Sequence, residues 1–522
     1  MSEKSSSKSP KKRKIFRDPI HGNIEIFPFE LKIIDLKIFQ RLRYIKQTPS
    51  VSYVFHSANH TRFEHSLGCL HIAEMYARNL DIKNRERELL RLCALLHDIG
   101  HCIFSHQYDV TIYKEIYPNK KHGHDEHRKK IIRDYLPDKL IDTYGKNALR
   151  KTIEDSGLKE YLNEEEPIKS IMDDVSRILE EGGTWKYNVI QGPFGCDRLD
   201  FIKRDSYFSG TGHYGGYPLD RLILFSSIEK DEDDNETLCY SSKILDDIIL
   251  MLINRFHMFK NVYFHKTCRA LDLMFQQLLE YSKEPLNLVE RTKNIEEFEK
   301  LNELNFFSEI SYCYQNQFDN LKKKVPQKEI SDFLERSKGI EGFYGEFEEP
   351  IINKLKMLRK LFKACELVSK ILVRDSYKCL TEDEESFDKL EREKIKKIFN
   401  IALGKGMKER AEGIIEQIKE LSKKNEEKCP ELFSDVPYEL TMDPTKELSG
   451  SNIDVFDEKE KKVKKYNEMK RVKKYYKSWK IESLNIYRIY TTSNAERKRL
   501  SSYVKKIKTK ENKETEGVDT AI

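Results

Sequence analysis

The stretch "LLHDIGHCIFSH", residues 95–106, sets His97 and Asp98 side by side where an apolar run ends. It closes the segment "ERELLRLCALLHDIG" (86–100), which is apolar nearly all round and predicts a buried helix with Gly100 as its stop. A carboxylate at the end of such a helix is costly unless it is paired or bound to a metal. An adjacent His and Asp offer one imidazole nitrogen and one carboxylate oxygen, a mixed set that Mn, Fe, Zn or Ni accept. One such pair is weak evidence, but this one has company. His65 stands at the start of another helical pattern in "HTRFEHSLG" (60–68), and Asp197 lies downstream in "CDRLDFIKRDSYFSG" (196–210). The first of these admits two readings: a helix-opening turn with satisfied side chains, or a histidine turned inward at something.

Outward from this stretch the periodicity is mostly helical. Leu31, Ile34, Ile38, Leu42 and Ile45 recur at spacings of three and four and predict one helix over 29–47. Residues 66–80 continue the period, 244–282 predict one or two long helices, and 286–425 reads as helical and charge-laced. Strand signals are few: "NIEIF" (23–27) suits a short hairpin, and "YRIYTTS" (487–493) suits a strand in a C-terminal lobe.

At 522 residues, 38% hydrophobic and 35% charged, the chain is long enough for a sizeable core under an ion-dense surface. A net charge of +6 is too small to imply nucleic-acid binding by itself. The local runs say more: an acidic loop at 229–236, and a basic run with interleaved aromatics at 458–480. Ten cysteines without a CxxC pair argue against a zinc ribbon and are read as reduced thiols of an intracellular protein. No apolar stretch is long enough to span a bilayer, so no membrane partner is expected. "SPKKRK" (9–14) resembles a nuclear localisation signal, which places the protein in the nucleus, with the cytoplasm as an additional compartment.

The order H…HD…D resembles that of the HD-domain metal-dependent phosphohydrolases. "RDPIHGNIEIFP" (17–28), "FQRLRYIKQ" (39–47), "RFEHSLG" (62–68), "LLHDIGHCIFSH" (95–106), "DRLDFIKRDSYFSG" (197–210) and "VYFHK" (262–266) follow the order found in dNTP triphosphohydrolases. Within that family the chain is most similar to the vertebrate branch with SAM and HD domains, without a SAM domain. The resemblance covers residues 15–270 clearly and runs on more weakly through "YRIYTTSNAERKRL" (487–500).

The resemblance implies that His65, His97, Asp98 and Asp197 hold one transition metal ion, Fe, Mn, Zn or Ni. Mg would accompany the nucleotide phosphates. His124, in "HGHDEH" (122–127), matches the general acid that protonates the departing 5′-oxygen, and His106 and Asp109 match its catalytic neighbours. Arg62, Arg198 and Arg255 match positions that grip the triphosphate, where a guanidinium fork suits phosphate oxygens. Gln47, Phe201, Asp205 and Tyr263 match the sugar pocket, Gln47 and Asp205 at the 3′-hydroxyl. Phe201 stands where the family often has tyrosine, and Thr48 where the vertebrate branch has an apolar residue that helps exclude ribonucleotides.

The resemblance also implies allosteric nucleotide sites. Asp35, Gln40 and Arg43 match guanine-reading residues, with Lys14 and Ile15 beside them. Val54, Phe55, Arg221, Lys243, His265 and Lys266 match a second site, which Arg17 and Asn261 depart from. GTP or dGTP is therefore the expected activator, and a nucleotide-linked homotetramer the expected assembly.

The expected fold class is mainly α: an HD-domain helical catalytic core with a smaller mixed α/β C-terminal lobe. The expected divisions are a disordered basic N-terminus (1–14), an HD core (15–285), a helical extension (286–450), a C-terminal lobe (451–507) and a loose tail (508–522). The expected activity is metal-dependent hydrolysis of dNTPs to deoxynucleoside and inorganic triphosphate. Its alternatives are another HD-type nucleotide phosphohydrolase or phosphodiesterase, or a single-stranded nucleic-acid-binding protein whose basic run tracks phosphate while Tyr or Trp stacks on bases. Such a run is more often a solvated helix face, and only weak single-strand binding is expected of it.

Overall fold

The computed structural model describes residues 13–335, 348–385, 403–425, 427–435, 453–470, 472 and 485–519. Most of them are helical, as expected of a mainly α protein. The expected signal at 9–14 and the aromatic part of the basic run lie almost wholly outside these residues. Among the described residues, no helix is long and apolar enough to cross a membrane.

Two compact units divide the chain, and neither is continuous in sequence. The first takes residues 1–255, 279–365 and 452–465, and the second takes 256–278, 366–451 and 466–522. The expected boundary at 285/286 falls inside the first unit, whereas the one at 450/451 is within one residue of a change of unit.

In the first unit, β1 (Lys14–Asp18) and β2 (Gly22–Ile26) form an antiparallel hairpin with Lys14 opposite Ile26. The single helix expected over 29–47 is instead α1 (Pro28–Ile34), α2 (Lys37–Gln40) and a 3₁₀ turn over Arg41–Tyr44. The reason is the number of apolar residues. Ile33, Ile34, Leu36, Ile38, Phe39, Leu42 and Ile45 are all buried, too many for one helical face. Extended backbone at Leu36 resets the phase so that each can turn inward.

Helix α3 (Arg62–Asn79) opens with a Thr61–Glu64 capping box. Helix α4 (Asn84–Leu96) is buried from Leu89 to its end. One charge lies inside it: Arg91, fully buried, donates to Glu30 at 2.6 and 2.8 Å, to Glu74 at 3.1 Å and to the carbonyl of Glu25 at 2.7 Å. A buried guanidinium survives because every direction meets an acceptor, and it ties the hairpin and α1 to α3 and α4.

After α4 the chain turns through His97–Ser105, and α5 (Gly123–Lys130) packs back on that turn. Gly100 is not a left-handed cap, since its φ is not positive. It is where α5 comes closest: a Cβ at Gly100 would collide with the carbonyl of His124 and the backbone nitrogen of Arg128. Helix α6 (Cys196–Phe208) follows, and then β3 (Ser226–Lys230) and β4 (Glu236–Ser241), so the acidic loop is the tip of a hairpin. Residues 244–282 form α7 (Leu245–Met258) and α8 (Lys266–Lys283), and the charge-laced region supplies α9 (Glu303–Lys322) and α10 (Glu349–Leu372).

The second unit holds a three-stranded sheet of β5 (Lys378–Glu385), β6 (Leu432–Asp435) and the central β9 (Asn485–Thr491), with α11 (Leu403–Lys424). The strand expected at 487–493 is therefore real, but its partners come from outside the expected 451–507 lobe. Strands β7 (Asp454–Asp457) and β8 (Lys462–Lys465) instead extend the β3–β4 sheet of the first unit, β7 pairing with β4. Helix α12 (Asn494–Asp519) runs through the segment expected to be loose after 507. Leu500, Tyr503, Val504 and Ile507 are buried at helical spacing up to the expected end, and the helix continues beyond it.

Replacing Gly100 by Ala is expected to cost about 1–3 kcal/mol, as overpacking against backbone does. Denaturant unfolding measures it, and an unchanged midpoint would mean that α5 is free to move off the turn.

Candidate metal centre

Three helices deliver the four expected ligands to one point. His65 comes from the first turn of α3, His97 and Asp98 from the end of α4, and Asp197 from the start of α6. His65 Nε2 lies 3.2 Å from Asp197 Oδ1 and 3.6 Å from Asp98 Oδ2. His97 Nε2 lies 3.5 Å from Asp98 Oδ1, 3.7 Å from Asp197 Oδ1 and 3.3 Å from His65 Nε2.

The ring tautomers follow from the other nitrogens. His97 Nδ1 faces the carbonyl of Ala94 at 2.8 Å, and a carbonyl only accepts. His65 Nδ1 faces the Asp200 carboxylate at 2.8 Å. Both Nδ1 atoms therefore carry the proton, and the two Nε2 lone pairs point at each other beside two carboxylates. Such a set repels itself unless a cation lies among it, so the four residues fit a bound metal ion. A ligating histidine whose far nitrogen is held by a carboxylate or carbonyl is the usual outer arrangement of such sites.

Asp200 does more than orient His65. Its Oδ1 meets His21 Nε2 at 2.6 Å, and Arg204 donates to both its oxygens at 2.8 and 3.0 Å. Arg204 also donates to Asp18 at 2.9 Å, while the other Asp18 oxygen accepts from the backbone of Ile20 and His21. All these groups are buried or nearly so. Burial opposes ionisation of Asp200, but Arg204 and His21 outweigh it and hold the carboxyl well below the usual range. Gly68 is part of the arrangement, because a Cβ there would strike the Asp200 carboxylate.

A second cluster adjoins the first. His124 Nδ1 meets Asp109 Oδ2 at 2.7 Å, and the His124 backbone N–H donates to Asp109 Oδ1 at 3.0 Å. His106, largely exposed, reaches the same carboxylate at 3.4 Å. Burial lowers the His124 pKa, but the Asp109 charge more than offsets this and raises it above the ordinary histidine value. His101 stacks on His124 with centroids 3.8 Å apart and lies 3.4 Å from Asp98 Oδ1. Burial, then Arg62 and His124, keep His101 neutral by pushing its pKa well down. His101 thus stands between the ligands and the acid cluster. Sequence reasoning passed over it, although its place one turn after His97 was a usable signal.

Arg62, expected at the triphosphate, is buried and ion-paired with Asp98, and its Nε donates to Ser105 Oγ at 3.0 Å. Burial works against the Asp98 carboxylate, but Arg62, His97 and His65 hold it far below its usual range.

Gln47 and Asp205 are brought together through a residue not singled out in the sequence, His60. Its carbonyl accepts from the Gln47 backbone at 3.2 Å, and its Nε2 meets Asp205 at 2.6 Å while the ring stacks on Phe208. Gln47 Oε1 and Thr48 Oγ1 are buried without a hydrogen-bond partner. Phe201 and Arg198 lie on α6 with Asp197 and Asp205, and Arg255 lies on α7 in the first unit. Tyr263, His265 and Lys266 belong to the second unit.

Of the expected guanine-reading residues, Asp35 is exposed at the break after α1. Arg43 donates to Gln40 at 2.8 Å and lies over the Phe63 ring. Lys14 and Ile15 are exposed on β1, and Val54 and Phe55 follow a short 3₁₀ turn. Arg221 pairs with Asp247 at 2.7 Å, and Lys243 with Glu458 at 3.3 Å. In the basic run, Lys464 and Lys465 pair with Asp457 and Asp454.

Residues 62–178 match the HD domain family. An uncharacterized protein of Methanocaldococcus jannaschii is 35% identical over 51% of this chain and 49% of its own length. The deoxynucleoside triphosphate triphosphohydrolase SAMHD1 of Homo sapiens is 30% identical over 50% of this chain and 43% of its own. The SAMHD1 homolog of Dictyostelium discoideum is 28% identical over 56% and 54%. The chain thus spans about half the length of the curated relatives it matches. The crystal structure of a hypothetical protein from Aquifex aeolicus superposes with a TM-score of 0.56 at 25% identity, covering 94% of this chain and all of that one. The resemblance read from the ordered motifs is borne out: the chain carries an HD domain and is similar to proteins of the HD dNTP triphosphohydrolase family.

Asp200→Asn is expected to weaken metal affinity roughly 10–100-fold, the usual cost of losing a carboxylate behind a ligating histidine. Competition against a chelating dye measures it, and unchanged affinity would remove Asp200 from the site.

Proposed function

We propose that this HD-domain chain hydrolyses deoxynucleoside triphosphates at the α-phosphorus, releasing deoxynucleoside and inorganic triphosphate. The observation that carries the reading is the junction of two clusters: four convergent ligands, and beside them a carboxylate-held histidine, with His101 in contact with both. When bound at His65, His97, Asp98 and Asp197, the metal (Fe, Mn, Zn or Ni) would supply Lewis-acid stabilisation of phosphate charge and a nucleophile at neutral pH.

The protein's own groups do the rest. Asp109 orients His124 and favours its protonated form, so that Nε2 can donate a proton to the departing 5′-oxygen. Arg62 holds Asp98 in place and brings positive charge to the phosphate end of the site. Neutral His101 offers a ring nitrogen between metal and acid without adding a second cation. In this reading Asp205, oriented by His60, and Gln47 recognise the 3′-hydroxyl, and Phe201 packs against the sugar. Activation by GTP or dGTP through Asp35, Gln40 and Arg43, and a nucleotide-linked tetramer, belong to the same reading. They are supported by the contact of Gln40 with Arg43 and by the exposed carboxylate of Asp35.

Chromatography of products from metal-loaded protein with mixed dNTPs, with and without GTP, tests the reaction. Deoxynucleoside plus triphosphate is the expected outcome, and monophosphate would instead indicate another phosphohydrolase of the HD type. His124→Ala is expected to keep its metal and lose about 10²–10⁴ in rate; a normal rate would remove the acid assignment.

A pH profile gives an independent check. The acid must be protonated, so activity falls as pH rises through the His124 pKa. Asp109→Asn removes the largest charge that raises this pKa and leaves the lowering effect of burial opposed only by the smaller effects of Asp125 and Asp98. The alkaline limb of kcat should therefore move to lower pH, and an unmoved limb would mean that another group is the acid.

A further inference from the structure

Between the two clusters the backbone is strained. Phe104 has φ 58° and Ser105 φ 52°, left-handed conformations that non-glycine residues adopt only when their surroundings hold them there. The holding group comes from far along the chain. Glu303, 199 residues beyond Phe104, is the first residue of α9, and its Oε1 accepts the backbone N–H of Phe104 at 3.1 Å and that of Lys46 at 3.3 Å. The helix does not need this carboxylate as its cap, because the Asn302 side chain already accepts from the Asn305 backbone N–H.

From the turn the chain of contacts leads straight to the ligands. Ser105 Oγ donates to the carbonyl of Lys46 at 2.8 Å and accepts from Arg62 Nε at 3.0 Å. Arg62 Nη1 pairs with Asp98 Oδ2. Lys46 also bridges to Thr61, the residue before Arg62, so Glu303 grips both segments that frame the guanidinium. Phe306 and Phe307 of α9 pack against Phe104 at centroid distances of 5.7 and 5.9 Å and fix the helix to the same turn.

We propose that Glu303 is a positioning residue of the metal centre, setting Arg62 against Asp98 through the Phe104–Ser105 turn. This rests on the metal-centre reading, not on the identity of the substrate. The electrostatics agree. Burial pushes the Glu303 carboxyl up to about 7, opposed by the Lys46 charge, then by the backbone hydrogen bonds from Phe104 and Lys46, and last by Arg62. Tyr53 is the other titratable group affected, and Lys46 itself donates to Ser52 at 3.0 Å and Asn59 at 3.1 Å. A costly buried acid kept beside two backbone amides is accounted for by the turn it holds.

The test uses full-length protein loaded with Co²⁺, read by its ligand-field absorption and by steady-state turnover of dNTP. Glu303→Ala should bind Co²⁺ at unchanged stoichiometry, shift the absorption bands, and lower kcat by about tenfold with little change in KM, as small misplacements of a site do. Glu303→Gln, whose single amide oxygen can accept both backbone bonds, should restore the bands and most of kcat. Wild-type bands and kcat in Glu303→Ala would overturn the proposal, as would a loss that Gln fails to restore. If Glu303→Ala does not fold, Ser105→Ala, which deletes the acceptor of Arg62 and the donor to the Lys46 carbonyl, must shift the bands; unshifted bands would overturn it equally. Should wild-type protein turn over no dNTP while the bands shift in Glu303→Ala and return in Glu303→Gln, the substrate reading fails and the positioning role stands.

Discussion

One carboxylate organises this protein. Asp200 is shared by His65, His21 and Arg204 at 2.6–3.0 Å, and none of the four can be moved alone. A buried charge is tolerated only where its surroundings satisfy it completely. That requirement decides much of what surrounds it. Asp18 must stand behind Arg204, the chain must turn at 18–22 to present His21, and position 68 must lack a side chain. The candidate metal ligands thus adjoin a buried polar core that joins the N-terminal hairpin, α3 and α6.

How much of this was legible in the sequence depends on how local the cause was. The buried α4 and its HD pair were plain, because an apolar run that ends in charge has few explanations. The four candidate ligands followed from motif order, and the fold brings each of the two histidines within 3.7 Å of the other and of both carboxylates. Asp200 and Arg204 lay in plain sight at i+3 and i+7 from Asp197 on α6, yet nothing local distinguishes a second-layer carboxylate from an ordinary surface one. Only the neighbour from α3 does that. His60 was hidden for the same reason, whereas the spacing of His101 from His97 was readable. Arg62 reads as a phosphate contact in the sequence, and only the fold shows that it is also ion-paired with Asp98. The period at 29–47 misled because it counted residues on one face and ignored the apolar residues left on the other.

The C-terminal half shows a different limit. Periodicity finds β9 and the helices, but it cannot say which sheet a strand joins. Residues 454–465 return to the first unit, while 378–385 and 432–435 supply partners for β9. Strand pairing across such separations is set by burial in the assembled fold, not by the strand's own residues. Gly100 makes the same point on a smaller scale. The residue type was right for a helix stop, yet the cause is an approaching backbone from a different helix.

The facing Nε2 atoms of His65 and His97 have one more effect. At 3.3 Å, two lone pairs that repel each other can also share a proton as N–H···N. A cation held among the four side chains would take the place of such a bridge. Either ion would join α3 to α4 through the same two nitrogens. The centre's affinity for metal should fall more steeply with acidification than the two carboxylates alone would dictate, and the helical frame should stay closed as one ion replaces the other.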